Sequence, residues 1–290
     1  MKPGAFDLHA PTSVDEAVAL LGELGDDAKV LAGGQSLVPM LSLRLASFGH
    51  LVDVGRIAEL RSVGFDDGTV TVGATTLDAV VEHDPELAST LPLLARATPL
   101  IGHFQIRNRG TVGGSIAHAD PAAEYPAVAL ALGAEMEVAS VRGVRTITAD
   151  RFFEGYWTTA MDADELLVAA RFPTWEGRCG FAVREFARRF GDFAIAGAVV
   201  AVRLGADDRI DHCAVGLLGL GPTPLRATTV EKAVVGQGTE VATDELGRLA
   251  VADLTDVPSD LHGSASYRRR VGAAMVSRAL SDAIREAIDA

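Results

Sequence analysis

Apolar and polar residues near the start of the chain alternate with a helical period. Between residues 14 and 24 the apolar positions are Val14, Ala17, Val18, Leu21 and Leu24. These positions fall on one side of a repeat of 3.6 residues. Thr12-Ser13 is a capping signal before this stretch, and Asp15-Glu16 places negative charge in its first turn. The pattern therefore predicts a helix over 14–24.

Short apolar runs after Gly25 predict strands. The run 29–32 is typical of a strand that ends in a tight turn at Gly33-Gly34, and 51–54 is typical of a second strand. The turn pair Asp67-Gly68 inside 62–73 predicts a β-hairpin. At this hairpin the chain changes from alternating helices and strands to antiparallel pairs. We therefore place a subdomain boundary near residue 58, between subdomains 1–58 and 59–175.

The pattern continues as a mixture of helices and strands. Helices are predicted over 76–83, 91–98 and 122–132, and strands over 135–141, 165–172, 193–204 and 212–220. The turn-rich segment 173–177 predicts a linker, which divides the chain into domains 1–175 and 176–290. A last helix is indicated by an apolar stripe formed by Tyr267, Val271, Met275, Ala279, Ile284 and Ile288. The predicted fold class is α+β.

Composition narrows the classes of function. Apolar residues (48%) and charged residues (22%) are in the usual globular range, and the net charge of -13 disfavours a nucleic-acid partner. The longest nearly apolar run, 193–202, is too short to span a bilayer, and no apolar signal segment follows Met1, so we expect a cytoplasmic protein. Cys179 and Cys213 are too few for an iron–sulfur cluster or a structural zinc site. We expect no metal site in this chain.

Two Gly-Gly pairs are candidates for a phosphate-binding site. The pairs are Gly33-Gly34, followed by Gln35-Ser36, and Gly113-Gly114, followed by Ser115. Glycines let successive N–H groups converge on an anion, and hydrogen bonds to a charged group contribute roughly 1.5–3 kcal/mol each. An acidic chain can therefore bind a pyrophosphate without a lysine. With 30 glycines in 290 residues, however, about three such pairs arise by chance, and spacing alone favours ordinary turns.

Acidic residues follow the second pair. Asp120 precedes Pro121, an arrangement that favours a helix cap, whereas Glu124 lies one turn further on and is the better candidate for contact with ligand hydroxyls. Gly219-Leu220-Gly221 runs into a proline-rich turn, which excludes a Rossmann fingerprint. The motifs of serine hydrolases, P-loop proteins and zinc peptidases are absent from the sequence.

Three ordered motifs resemble one known family. Residues 31–41, 106–124 and 188–194 are similar to the FAD-binding medium subunit of molybdenum hydroxylases, the xanthine dehydrogenase family. Within that family they are most similar to the medium subunit of aerobic carbon monoxide dehydrogenase. The resemblance runs the length of the chain and favours a binding site over ordinary turns. It implies a two-part FAD-binding domain of the PCMH (vanillyl-alcohol oxidase-like) type, followed by a smaller α+β C-terminal domain with an antiparallel sheet.

The resemblance also implies partners and an electron path. This chain would carry FAD, while a large subunit carries molybdopterin and a small subunit carries [2Fe–2S] clusters, in a dimer of heterotrimers. Electrons would pass from the clusters through FAD to an external acceptor, with quinone, NAD and oxygen all open. Carbon monoxide is the first substrate to consider, and heterocycles and aldehydes remain open. The complex would be cytoplasmic, with a peripheral position at the inner membrane face left open. The alternative functions are a scaffold subunit with a decayed site and a stand-alone flavin oxidoreductase.

Carried over motif by motif, the resemblance implies a set of cofactor contacts and no catalytic residue. Phe193 would stack on the flavin ring, the alternative being a core aromatic at a strand start. The implied contacts are Leu31, Ala32, Gly33, Gly34, Gln35, Ser36, Leu37, Ile101, Gly102, Gly110, Thr111, Gly113, Gly114, Ser115, Ala117, Asp120, Glu124, Leu167, Val168, Arg184 and Phe193.

Overall fold

The computed structural model describes residues 2–290. Its strands are β1 (Asp7–His9), β2 (Ala28–Leu31), β3 (His50–Asp53), β4 (Val63–Asp66), β5 (Thr69–Gly73), β6 (Glu135–Ser140), β7 (Gly143–Thr148), β8 (Phe153–Gly155), β9 (Thr158–Thr159), β10 (Leu166–Pro173), β11 (Arg178–Phe186), β12 (Ala196–Leu204), β13 (Ile210–Leu218) and β14 (Leu225–Arg226). Its helices are α1 (Val14–Leu24), α2 (Leu37–Ser42), α3 (Asp78–His83), α4 (Pro85–Thr90), α5 (Pro92–Ala97), α6 (Phe104–Arg107), α7 (Val112–His118), α8 (Glu124–Leu132), α9 (Ala149–Phe152), α10 (Thr228–Val234), α11 (Thr243–Ala252) and α12 (Ala265–Asp289).

The first part of the chain folds around a small parallel sheet in the order β1-β3-β2. Helix α1 covers it and buries Ala17, Val18 and Leu21, as its apolar stripe predicts. The Ser13 hydroxyl accepts the N–H of Glu16, and the Glu16 carboxylate accepts the N–H of Thr12, which forms a reciprocal cap. The predicted helix over 14–24 is confirmed at both ends.

The second part is an antiparallel sheet in the order β4-β5-β10-β6-β7. The predicted hairpin is present as β4 and β5, with Gly68 in its turn. Helix α8 packs at the centre of the molecule, and all nine of its residues are buried. It begins at Glu124 rather than at the predicted residue 122, and it ends at Leu132 as predicted.

The third part is an antiparallel sheet in the order β11-β12-β13-β14. One face packs on α12, and the other packs on α5 and α8. A Cβ atom on Gly180 would overlap the carbonyl oxygen of Ala283, so glycine lets α12 lie directly on β11. The Arg96 guanidinium on α5 donates to both Glu286 carboxylate oxygens, at 2.5 and 2.8 Å, and so ties α12 to the second part of the chain.

Two C-terminal predictions need correction. Met275, Ala279 and Ile284 lie on the buried face of α12 as predicted, but Ile288 is 46% exposed because Ala287 takes the inward position in that turn. The strand predicted over 193–204 begins only at Ala196, since 193–195 belong to the preceding loop. Within residues 2–290, no helix is both long enough and apolar enough to cross a membrane.

Candidate functional site

The two Gly-Gly segments lie against each other. A Cβ atom on Gly33 would overlap the carbonyl oxygen of Arg109 and lie 2.9 Å from Gly110 Cα. A Cβ atom on Gly114 would lie 3.5 Å from Ala32 Cβ. Residues that stand about 80 positions apart in the sequence therefore form one surface, and side chains at these glycines would separate its two halves.

The first Gly-Gly segment is a loop with free donors. It joins β2 to α2, and Gly34 has a positive φ of 73° that favours glycine. The Gln35 side-chain amide donates to the Gly33 carbonyl at 2.9 Å, which fixes the turn. Within the described part of the chain, the N–H groups of residues 33–36 donate no hydrogen bond. Leu31 and Leu37 flank the loop and are half-buried.

The second Gly-Gly segment is the first turn of helix α7 and not the ordinary turn that spacing alone favoured. The Thr111 hydroxyl caps the helix by accepting the Gly114 N–H at 3.1 Å. Gly113 donates to the Ala74 carbonyl at 3.0 Å, and a Cβ atom on Gly113 would lie 2.5 Å from Ala74 Cα. Ser115 and Ala117 lie on the partly exposed side of α7, whereas Val112 and Ile116 are buried.

A third segment, Ile101-Gly102, forms a wall beside these loops. The buried Arg107 guanidinium donates to the carbonyl oxygens of Ile101 and Gly102, at 3.1 and 3.3 Å, and pairs with Glu82 at 2.7 Å. The loop 188–194 packs onto this wall, since a Cβ atom on Gly191 would lie 2.8 Å from the Gly102 carbonyl oxygen. The sequence motif around Phe193 is thus brought next to the predicted Ile101-Gly102 contact.

Phe193 lines an open cleft of about 1000 Å³. Its side chain is 62% exposed, so the alternative of a core aromatic at a strand start is wrong. Trp157 lies across the same cleft, with its indole N–H donating to the Asp120 carboxylate at 3.2 Å and its ring stacked near His118. Phe193 and Asp120, both predicted cofactor contacts, therefore line the same cleft.

Asp120 does not cap helix α8. Its carboxylate accepts the N–H of Ala122 at 2.9 Å and closes a short turn, so the helix starts only at Glu124. The prediction that Asp120 caps a helix beginning at Pro121 is wrong, because the Asp120 carboxylate is bonded within this local turn instead. The other carboxylate oxygen of Asp120 receives the Trp157 indole.

Glu124 is a buried acid at the start of α8. Burial, and then the negative charge of Glu185, raise the pKa of Glu124 to about 8. Glu185 on β11 was not predicted as a site residue, and burial raises its pKa to about 7. The signal in the sequence is that Glu185 falls on the same strand face as the apolar Phe181 and Val183.

Another buried acid lies beneath the second segment. Asp78 is 2% exposed, and burial raises its pKa to about 7, against a smaller opposing effect of Arg107. A Cβ atom on Gly110 would overlap an Asp78 carboxylate oxygen, and the other oxygen has no hydrogen-bond partner among the described residues. Asp78 was also missed as a site residue. An acidic residue at the start of a helix usually indicates only a favourable interaction with the helix dipole.

The remaining predicted residues divide into two groups. Leu167 and Val168 are at a β-bulge in β10, and the Val168 carbonyl accepts the N–H of Ala74, the residue that also binds Gly113. Arg184 lies elsewhere, on the face of β11 opposite to Glu185, and its guanidinium pairs with Asp282 on α12. The structure thus connects Leu167-Val168 to the glycine segments and does not bring Arg184 to them.

The combined surface suits a dinucleotide with a pyrophosphate. Glycines let the two segments approach each other closely, and the free N–H groups of 33–36 supply neutral donors. The cleft lined by Phe193 and Trp157 is a second open surface, and Asp120, just after α7, borders it. Among the described residues, no three histidine, cysteine or acidic side chains are grouped in a way that could hold a metal ion. The neutral donors of this surface suit an anionic cofactor.

Two family models match the chain in sequence order. Residues 4–175 match the FAD binding domain in molybdopterin dehydrogenase, and residues 181–283 match the CO dehydrogenase flavoprotein C-terminal domain. Together these matches cover most of the chain and include every predicted contact.

Individual relatives are similar over nearly their whole length. The carbon monoxide dehydrogenase medium chain of Hydrogenophaga pseudoflava is 40% identical, over 98% of both chains. The caffeine dehydrogenase subunit beta of Pseudomonas sp. (strain CBB1) is also 40% identical, over 98% of this chain and 96% of its own. A solved structure of carbon monoxide dehydrogenase from Hydrogenophaga pseudoflava, which lacks the Mo-pyranopterin moiety of the molybdenum cofactor, aligns with a TM-score of 0.95 at 41% identity, over 99% of both chains.

Proposed function

Since the chain belongs to the family of FAD-binding subunits of molybdopterin dehydrogenases, we propose that it passes electrons from partner [2Fe–2S] clusters through FAD to an external acceptor. It is an oxidoreductase subunit with an FAD-binding domain. FAD, when bound, supplies a redox centre that can exchange two electrons with a partner. The residues of this chain bind and orient that centre.

One observation carries the proposal: two glycine segments distant in sequence meet, and the first of them leaves its backbone N–H groups free. The N–H groups of 33–36 would hold the pyrophosphate, and the start of α7, whose N–H groups are used within the protein, would border it. Leu31, Ala32, Leu37, Gly110, Ser115 and Ala117 complete that surface. No lysine or arginine is needed at the phosphates, which suits a chain with a net charge of -13.

The ring end of FAD is assigned to the cleft. Phe193 would stack on the flavin, with Ile101-Gly102 as the wall and Leu167-Val168 behind the second segment. Asp120 and Glu124 would face the hydroxyl-bearing chain between the ring and the phosphates. Arg184, held by Asp282 on the other face of β11, is left out of the proposed site.

We also propose the finer architecture and assembly. The first 175 residues would form a two-part domain of the PCMH type, with subdomains that divide near residue 58, and 176–290 would form the C-terminal domain. The complex would be a cytoplasmic dimer of heterotrimers with a large molybdopterin subunit and a small iron–sulfur subunit, attached peripherally to the inner membrane face if its acceptor is a quinone.

Carbon monoxide, heterocycles and aldehydes are all candidate substrates of the complex. Relatives named for carbon monoxide and for caffeine are equally similar to this chain, at 40% identity each. Substrate selection would belong to the large subunit. Replacing only this chain in a related complex should therefore change the acceptor reaction and leave substrate preference unchanged.

Cofactor release tests the proposal directly. We expect heat to release FAD, identified by chromatography, from the complex purified with its partner subunits. Gly34→Val and Gly114→Val should each remove the flavin and stop electron transfer to the acceptor. Valine at Gly34 would be strained at the positive φ and would press on Leu31 and Val38, whereas valine at Gly114 would press on Ala32 across the shared surface. Gly68→Val is the matched control, since Gly68 has the same positive φ as Gly34 but has no neighbour within 4 Å of an added Cβ.

The outcomes separate the alternatives. A colourless complex that takes up no FAD would contradict the proposal. Unchanged electron transfer in both glycine variants would instead indicate a scaffold subunit. Turnover of a small molecule by this chain alone would indicate a stand-alone oxidoreductase.

A further inference from the structure

Arg268, near the start of α12, is a buried cation that lines the open cleft. Its Nη1 atom donates to the carbonyl oxygens of Ile195 and Gly219, at 2.5 and 3.3 Å. Its Nη2 atom donates to the Asp260 carboxylate at 2.7 Å. The first acceptor follows the loop 188–194, the second follows β13, and the third precedes α12. One side chain therefore joins three segments that are distant in sequence.

The loop 188–194 has few attachments of its own. It packs on the Ile101-Gly102 wall, but among the described residues its hydrogen bonds stay inside the loop. The Ile195 N–H donates to the Phe186 carbonyl at 2.8 Å and closes the loop at its base. The Ile195 carbonyl is the group that Arg268 holds. The position of the loop's last residues therefore depends on the guanidinium.

Gly219 connects this anchor to the opposite wall of the cleft. A Cβ atom on Gly219 would lie 2.7 Å from the Ile195 carbonyl oxygen, so glycine lets both carbonyl groups reach the same nitrogen atom. The Gly219 N–H donates to the carbonyl of Pro121 at 2.8 Å. The preceding residue, Asp120, accepts the indole N–H of Trp157. The anchor is thus bonded to both walls of the cleft.

Arginine suits this position better than lysine. A guanidinium presents five N–H donors in a rigid plane, whereas an ammonium group has three donors on a flexible chain. The Nε atom of Arg268 is buried and has no partner among the described residues. A buried charge with an unused donor costs free energy, and the ion pair with Asp260 offsets part of that cost. The backbone positions that Arg268 fixes explain its presence better than stability alone.

We propose that Arg268 is a positioning residue, which holds the Ile195 carbonyl and so sets where Phe193 meets the flavin ring. The inference rests on the proposed function, since it requires the ring to lie in the cleft. Phe193 is two residues before Ile195 and its side chain is largely exposed, so the position of its ring follows the backbone. Aromatic stacking depends on the separation and offset of the two rings, and a shift of the loop would therefore weaken it.

Arg268→Lys tests this role through FAD affinity, measured by flavin fluorescence on the complex. Lysine keeps the charge but cannot bond all three acceptors, so we expect the dissociation constant to rise about fivefold. Phe193→Leu removes the stacking ring and should raise it roughly tenfold. Adding Arg268→Lys to Phe193→Leu should raise it no further, because both changes act on one contact. Arg269→Lys is the matched control, since Arg269 donates to the Leu254 carbonyl instead, and it should leave affinity unchanged.

Hydrogen–deuterium exchange of the flavin-free, full-length chain gives a readout without cofactor. The backbone amides of 188–195 should exchange faster in Arg268→Lys and at the same rate in Arg269→Lys. Asp260→Asn removes the ion pair from an exposed position and should also speed this exchange. It replaces Arg268→Lys in both experiments if the lysine variant does not fold.

The outcomes separate this role from the proposed function. If the loop exchanges faster but neither Arg268→Lys nor Phe193→Leu changes FAD affinity, the proposed place of the flavin ring is wrong, and the role of Arg268 fails with it. If loop exchange is unchanged in Arg268→Lys and Asp260→Asn, the role of Arg268 is wrong while the proposed function stands. The same conclusion follows if the effects of Arg268→Lys and Phe193→Leu on affinity add.

Discussion

The first Gly-Gly pair, Gly33-Gly34, lies in a loop between a strand and a helix, whereas the second, Gly113-Gly114, lies in the first turn of a helix. The first loop is half-buried, its N–H groups are free, and Gly34 has a positive φ. The second is packed against Ala74, and its donors are used by Ala74 and Thr111. The same Gly-Gly motif thus requires glycine for a different physical reason in each segment.

We infer from this difference that the first pair serves ligand binding and the second pair serves the stability of the fold. Glycine in the first pair allows close approach to backbone 109–110 and leaves donors for a ligand. Glycine in the second pair allows a helix to start against the end of β5. We therefore expect alanine at Gly33 mainly to reduce FAD affinity, and alanine at Gly113, the buried member of the second pair, mainly to reduce the free energy of unfolding.

The largest expected effect is on pH-dependent stability beneath the second pair. The pKa of Asp78 is raised from 3.8 to about 7, so its stabilising contribution is complete below pH 3.8 and is lost as pH rises through 7. Relative to Asp78→Asn, the unmodified apoprotein should therefore lose on the order of 3 kcal/mol of unfolding free energy between pH 4 and pH 8. Urea denaturation at several pH values measures this. A pH-independent difference would show that Asp78 is not held protonated.

Gly113→Ala should have the next largest effect. The added methyl group would lie 2.5 Å from Ala74 Cα and 2.7 Å from the Ala74 carbonyl oxygen, and these backbone atoms cannot move away easily. Overpacking of this kind destabilises by about 1–3 kcal/mol, measurable by chemical denaturation. In Gly64→Ala the nearest atom is 3.9 Å away, so this control should change stability by less than about 1 kcal/mol.

Gly33→Ala should mainly reduce cofactor affinity. The methyl group would push the loop away from Arg109 and Gly110 and so separate the two halves of the surface. We expect at least about a tenfold increase in the FAD dissociation constant, equivalent to about 1.4 kcal/mol, measured by flavin fluorescence. If Gly33→Ala instead destabilises the fold as much as Gly113→Ala and leaves affinity unchanged, the distinction between the two pairs is wrong.

Thr111→Val should have the smallest effect. Valine keeps the shape of threonine but cannot accept the Gly114 N–H, so the cap of α7 is lost. Loss of such a cap costs about 1 kcal/mol in thermal or chemical denaturation. Thr111→Ser keeps the acceptor oxygen and should recover most of that stability. Equal loss in both variants would show that the methyl contact matters more than the cap.

Periodicity and turn residues predicted most of the secondary structure. The helix over 14–24, the hairpin at Asp67-Gly68 and the end of α8 at Leu132 all depend on local signals, and all are present. Errors arose where a side chain had two competing uses. Asp120 closes a turn and does not cap α8, and Thr111 caps a helix where spacing alone favoured a turn.

The site was only partly predictable. Motifs gave the two glycine segments and Phe193, but their contact depends on how three sheets pack, which no local pattern contains. Glu185 and Asp78 were missed because a single acid in a strand or at a helix start is usually exposed to solvent. Arg184 was predicted by motif position alone, and the alternation of β11 directs it to the opposite face.

Trp157, held at the cleft by Asp120 and His118, also gives the protein an optical signal. The other tryptophan in the sequence, Trp175, lies in the linker before β11, with its ring 4.3 Å from the His212 ring. A flavin in the cleft absorbs where indole emits, so it would quench the emission of Trp157 by energy transfer. Quenching of Trp157 emission can therefore report how much cofactor is bound. Emission from Trp175 reports instead on the structure of the segment before β11.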